Sequence, residues 1–170
     1  MRPILDSVTV RTGLVLVVVL VLQVTLIPNT RVAGSSADLM LLFSLCAAVA
    51  AGAEVGAITA FAYGLAFDIM LQTPFGLSAL VFGIAAWVLG VVRTTLSRDG
   101  WLFSGALMAL STVVSVGLYA GLARVFGEPF LGAARLGRIM VVEAGFNAVL
   151  APVALRICRW TVADADPRYR

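Results

Sequence analysis

Apolar residues run in six blocks along this chain, separated by short polar or charged clusters: Leu14–Ile27, Leu39–Ala53, Val55–Phe67, Leu77–Val92, Trp101–Ala123 and Ile139–Ile157. A helix needs about 20 mostly apolar residues to cross a bilayer. The pattern therefore predicts an all-α, polytopic integral membrane protein with spans near residues 12–28, 39–53, 55–71, 77–93, 101–123 and 139–158. Lipid then replaces water as the reference solvent, and backbone N–H and C=O groups inside it must find partners within the protein.

The block that resists a simple assignment is Leu39–Leu71. Its 33 residues would make a rod of about 50 Å, against a hydrocarbon core of about 30 Å. Glu54 stands near its middle, within Ala51-Gly52-Ala53-Glu54-Val55-Gly56. A carboxylate at mid-bilayer is costly, so the reading is a tight hairpin with Glu54 at the surface and two short arms. Six spans with both termini cytoplasmic place eight arginines inside (Arg2, Arg11, Arg93, Arg98, Arg156, Arg159, Arg168, Arg170) and four outside (Arg31, Arg124, Arg135, Arg138). Five spans reverse that bias and are rejected by the positive-inside rule. The outer connection Phe126–Arg138 holds Pro129 between glycines and then Phe130-Leu131, which predicts a short surface-lying segment.

Composition sharpens this picture. Hydrophobic residues make up 61% of the chain, charged residues 12%, and the mean hydropathy is +1.04. The 170 residues form one membrane domain, because no loop is long enough to hold a soluble core. Arg2 and Arg11 before the first apolar block, with Ser35-Ser36-Ala37 behind it, resemble a secretory leader. The long gap to Ala37 and the spans that follow favour a retained first helix. The net charge is +3, but its arginines sit at span ends, where they set orientation and meet anionic lipid. No nucleic-acid surface is expected.

The chain has neither His nor Lys. Serine–histidine triads and histidine-based zinc motifs are therefore excluded. There is no phosphate-binding loop and no pair of catalytic carboxylates at helical spacing. We expect no catalytic residue, no metal and no cofactor. Cys46 and Cys158 lie far apart in or beside separate spans, so they read as packing residues with no disulfide.

Asp68 is the sharpest candidate for a functional residue, because apolar side chains surround it within its own span. It could reach the headgroups, hold the turn Gln72-Thr73-Pro74-Phe75-Gly76 by accepting backbone N–H bonds, touch a partner, or take part in transport. Gly56, Ala60 and Gly64 form a ladder on one narrow helix face that lets another helix come close. Gly117 and Gly121 repeat the spacing in the fifth span. Within this bundle or towards a partner, such faces serve packing. Glu143 and Asn147 share a face of the sixth span, ahead of Pro152, which would kink or loosen that helix. Gln23 poses the same demand for a polar partner in the first span. These groups could bond helices together or line a small hydrophilic cavity.

Taken in order, Leu22-Gln23, Asp38-Leu39, Gly52, Gly56, Phe61, Gly64-Leu65, Asp68, Pro74-Phe75-Gly76 and Ala79-Leu80 resemble the MreD family, small membrane subunits of the bacterial rod-shape machinery. Asn147 with Pro152 is similar to that family's C-terminal pattern. Ala37 stands where the family often has Pro, and Ala60 where Gly often precedes Phe61. The resemblance implies a non-enzymatic protein of the bacterial plasma (inner) membrane. It would work beside MreC, a single-pass protein, together with MreB, the polymerase RodA and a penicillin-binding transpeptidase in lateral peptidoglycan synthesis. The family is also similar to the six-helix, substrate-binding S components of vitamin importers.

The resulting expectation is a scaffold. An MreC-like partner's helix docks on the small-residue face of Gly56, Ala60 and Gly64, while Asp68, Pro74 and Gly76 fix the outer end. The alternative is a small-solute-binding transporter subunit, whose mark would be a cavity lined by Asp68, Gln23, Asn147 or Glu143.

Overall fold

The computed structural model describes residues 8–25, 38–70, 75–95, 101–127 and 132–162, with the side chains of Trp101 and Leu102 excepted. Pro74, the segment Ser35-Ser36-Ala37, the stretch Pro129-Phe130-Leu131, and Arg2, Arg31, Arg98, Arg168 and Arg170 lie outside the described residues. Within them the chain folds into six helices and no strand: α1 (Val8–Thr25), α2 (Leu39–Ala51), α3 (Ala53–Asp68), α4 (Leu77–Thr95), α5 (Trp101–Val125) and α6 (Ala133–Val162).

Four of these, α1, α4, α5 and α6, are long and apolar enough to cross a membrane. The other two are short. With 13 and 16 residues, α2 and α3 span about 20 and 24 Å. They arise because the block Leu39–Leu71 is broken at Gly52, whose φ of 87° lies in the left-handed region where a Cβ would be strained. Glu54 sits exposed in the first turn of α3, where the helix N-terminus favours a negative charge. The hairpin expected from the sequence is therefore present, and it keeps its carboxylate out of the packed interior.

Successive helices run in alternating directions. Arg11 near the start of α1 reaches the carbonyl of Trp160 near the end of α6, so this end of the bundle, its base, gathers the first and last helices. Gln23 at the end of α1 meets Leu39 at the start of α2, which defines the opposite end, the top. α3 and α4 lie antiparallel: Ala53 faces Gly90 at the base and Gly64 faces Ala79 at the top.

The apolar character of α2 extends all round the helix, which is the signature of a fully enclosed helix. Ten of its residues are buried, and it touches every other helix. α3 packs between α2 and α4. A Cβ on Gly56 would strike the backbone of Ala48, and one on Gly64 the backbone of Ala79 and Ser78. Ala60 between them is fully buried. The small-residue face of α3 is thus filled by this chain's own α2 and α4, and no room is left there for a helix from elsewhere. Of the second pair of glycines, Gly117 lies against the Met140 side chain of α6, while Gly121 has open space around it.

α6 differs from expectation in two ways. α6 begins at Ala133 rather than near residue 139 and runs for 30 residues, so 133–138 are helix and not a surface-lying segment. The carbonyl of Gly132 accepts from Arg135 and Leu136, and Ala-Ala-Arg-Leu favours helix once past the break. α6 also continues unbroken through Pro152. The carbonyl of Ala148, which Pro152 cannot bond, lies against Gly105 of α5.

The contacts of the glycines make a sharp contrast. Gly64→Ala and Gly90→Ala push a methyl into neighbouring backbone and should lower thermal stability in detergent by about 1–3 kcal/mol. Gly145→Ala, with nothing within 4 Å, should leave stability unchanged or raise it by about 0.4–1 kcal/mol.

Candidate functional site

Asp68 ends α3 and is 2% exposed. Its carboxylate accepts three backbone hydrogen bonds from the beginning of α4: Gly76 N–H to Oδ2 at 2.9 Å, Ser78 N–H to Oδ1 at 3.1 Å and Ala79 N–H to Oδ2 at 3.2 Å. The first N–H groups of a helix have no intrahelical acceptor, and in a membrane water cannot supply one. Asp68 supplies it from the preceding helix. Both oxygens are engaged, the bonds are charge-assisted, and the α4 dipole reinforces them. Gly76, with φ 93°, turns the chain so that its own N–H points back at the carboxylate. Asp68 therefore holds the α3–α4 turn rather than reaching outward to the headgroups.

A second cap lies at the same end of the bundle. Asp38 precedes α2, and its Oδ1 accepts from Leu41 N–H at 3.0 Å. Gln23 of α1 completes the cap from outside, its Oε1 accepting from Leu39 N–H at 2.8 Å. Gln23 thereby fastens α1 to the top of α2. Burial pushes the Asp38 carboxyl up to about 6, against the opposing effect of the Leu41 and Met40 N–H groups. Glu143 of α6 lies close enough to feel the charge of Asp38.

Asn147 goes elsewhere. It is fully buried, and its Nδ2 donates to Thr112 Oγ1 of α5 at 2.9 Å. The Thr112 hydroxyl donates in turn to the carbonyl of Met108 at 2.9 Å. A bond of this kind between membrane helices contributes about 0.6–2 kcal/mol. Although Glu143 and Asn147 share a helix face, they serve different neighbours.

The structure distributes Asp68, Gln23, Glu143 and Asn147, the polar groups singled out in the sequence, over three places. The sequence reading missed Asp38 as a side-chain cap, although an Asp just before an apolar run is a helix-start signal. Thr112 carries no signal at all. Cys46 and Cys158 are both free and buried. Contrary to the separation their spans suggest, their thiols meet across the α2–α6 contact, where the Cys158 thiol approaches the carbonyl of Phe43 at 3.9 Å.

A groove of about 500 Å³ lies between α1 and α6. Leu14, Val18 and Leu22 form one wall, Ile157 and Trp160 the other, and Phe43 of α2 the floor, with Arg156 at the edge. None of Asp68, Gln23, Glu143 or Asn147 lines it. Among the described residues no group of three or more Cys, Asp or Glu side chains is placed to hold a metal.

A family model described as rod shape-determining protein MreD matches residues 6–132. The match takes in α1 to α5 with both caps and ends before α6, so Glu143, Asn147 and Pro152 lie beyond it. No curated protein and no solved structure matches the chain.

The geometry of the Asp68 clamp makes a specific demand. In Asp68→Asn one carboxylate oxygen becomes an amide that opposes a backbone N–H, so at least one buried donor loses its acceptor. Thermal unfolding in detergent should show a loss of about 1.5–3 kcal/mol, and Asp68→Ala should lose more.

Proposed function

This chain belongs to the MreD family of rod shape-determining membrane proteins, and from that premise we propose that it is a non-enzymatic scaffold of the bacterial cell-elongation complex. Its six helices all lie in the plasma membrane with both termini cytoplasmic, and its direct partner is an MreC-like single-pass protein. RodA-type polymerase, penicillin-binding transpeptidase and MreB belong to the wider assembly.

One observation carries this reading. The intramembrane Asp68, Gln23 and Asn147 are engaged with the chain's own backbone or side chains, and a carboxylate bound by three N–H groups is poorly placed for proton or group transfer. What the bundle offers to others is its lipid-facing surface: Ile58 and Phe61 on α3, Trp87 and Val88 on α4, Leu110 and Val114 on α5, Val141 and Val149 on α6. A partner helix packs on such a surface through van der Waals contact, because lipid provides no hydrophobic drive between helices. The alternation of helix direction supports the six-span arrangement. It puts Arg11, Arg93, Arg156 and Arg159 at the base and Arg124, Arg135 and Arg138 at the top, in line with the expected charge bias.

The part of Gly56, Ala60 and Gly64 in partner binding is then indirect. They seat α3 between α2 and α4, and with Asp68 and Gly76 they fix the shape of the surface that the partner meets.

In-cell photo-crosslinking from Ile58, Phe61, Leu110 and Val149 tests the proposal. Capture of a single-pass membrane protein from at least one of these positions is the expected result. Capture of an importer's ATPase module, or of a small solute, would replace the scaffold with a transport subunit.

A further inference from the structure

The groove between α1 and α6 has a feature that a plain lipid-facing crevice lacks: its base is built from guanidinium groups and an indole. The Arg11 guanidinium lies 5.1 Å above the Trp160 ring and donates to the Trp160 carbonyl at 3.4 Å. Arg156 lines the groove itself. From this cluster the groove runs upward along Leu14, Val18 and Leu22 with no other charged residue in its lining. An aromatic ring at this level marks the membrane–water interface. Basic pockets between membrane helices suit anionic lipid headgroups.

We propose that this groove is a specific site for an anionic phospholipid of the leaflet at the base, with acyl chain along α1 and phosphate at Arg11 and Arg156. Leu14 to Leu22 covers about 12 Å, and the crevice of about 500 Å³ along it is lined by apolar side chains, which suits an acyl chain. Charge argues for an anionic headgroup over a zwitterionic one, since Arg156 lines the groove, the Arg11 guanidinium lies over its Trp160 wall, and no acidic residue is in the lining.

The site also gives α1 something to lean on. Only Val15 and Val19 of that helix are buried, so an acyl chain between α1 and α6 adds contact where the protein's own packing is thin.

The test is native mass spectrometry of the full-length protein in detergent, titrated with phosphatidylglycerol or phosphatidylcholine of identical chains. One phosphatidylglycerol should be retained in preference to phosphatidylcholine. Arg156→Gln should weaken that retention about fivefold, as expected for the loss of one near-surface positive charge. Arg124→Gln at the top should leave it unchanged. Val18→Trp, which fills the groove and touches no arginine, should abolish it independently. Equal retention of the two lipids, or phosphatidylglycerol binding that survives both Arg156→Gln and Val18→Trp, would overturn the proposal. So would photo-crosslinking from Val18 that captures a protein instead of a lipid.

Discussion

A helix whose first turn is buried begins with N–H groups that no water can reach, and the top of this bundle is organised around that constraint. α2 and α4 both start there. Each receives its cap from an acidic side chain, Asp38 for α2 and Asp68 for α4. The caps do more than finish their helices. Asp68 belongs to α3 and Gln23 to α1, so satisfying the N-termini of α4 and α2 also binds α3 to α4 and α1 to α2. Local hydrogen-bond bookkeeping and tertiary structure become one interaction.

Close packing takes over below the caps. α2 is enclosed on all sides, α3 approaches it at Gly56 and α4 at Gly64, and Gly90 repeats the contact at the base from the side of α4. These contacts hold α2, α3 and α4 as the compact half of the molecule. α1 and α5 are far more exposed; of their apolar windows only 11% and 17% are buried. A shape-determining protein built this way presents a rigid centre and an apolar periphery.

Much of this was legible in the sequence because it follows from local chemistry. Glu54 beside Gly52 could not remain at mid-bilayer, which revealed the α2–α3 hairpin. Asp68 ahead of a Pro-Phe-Gly turn offered a backbone-capping role among its alternatives, and the small-residue spacing on α3 marked a close contact. What sequence could not supply was the identity of the neighbour. The ladder of Gly56, Ala60 and Gly64 looks the same whether Ala48 and Ala79 fill it or a foreign helix does. Gln23 announces a need for a partner but not that Leu39 meets it, and the meeting of Cys46 with Cys158 depends on how α6 rotates against α2. The early start of α6 was hidden because Arg135 and Arg138 interrupt the apolar pattern without interrupting the helix.

Membership of the rod shape-determining family and the engagement of Asp68, Gln23 and Asn147 within the chain both support the proposal that this protein acts through its surface. The central claim is that Asp68 clamps the start of α4. Amide hydrogen exchange of the protein in lipid nanodiscs, followed at Gly76, Ser78 and Ala79, reads that clamp directly. Strong protection at all three amides, lost together in Asp68→Ala while mid-helix amides of α2 stay protected, is the predicted result. Rapid exchange at these amides in the unmodified protein would contradict it.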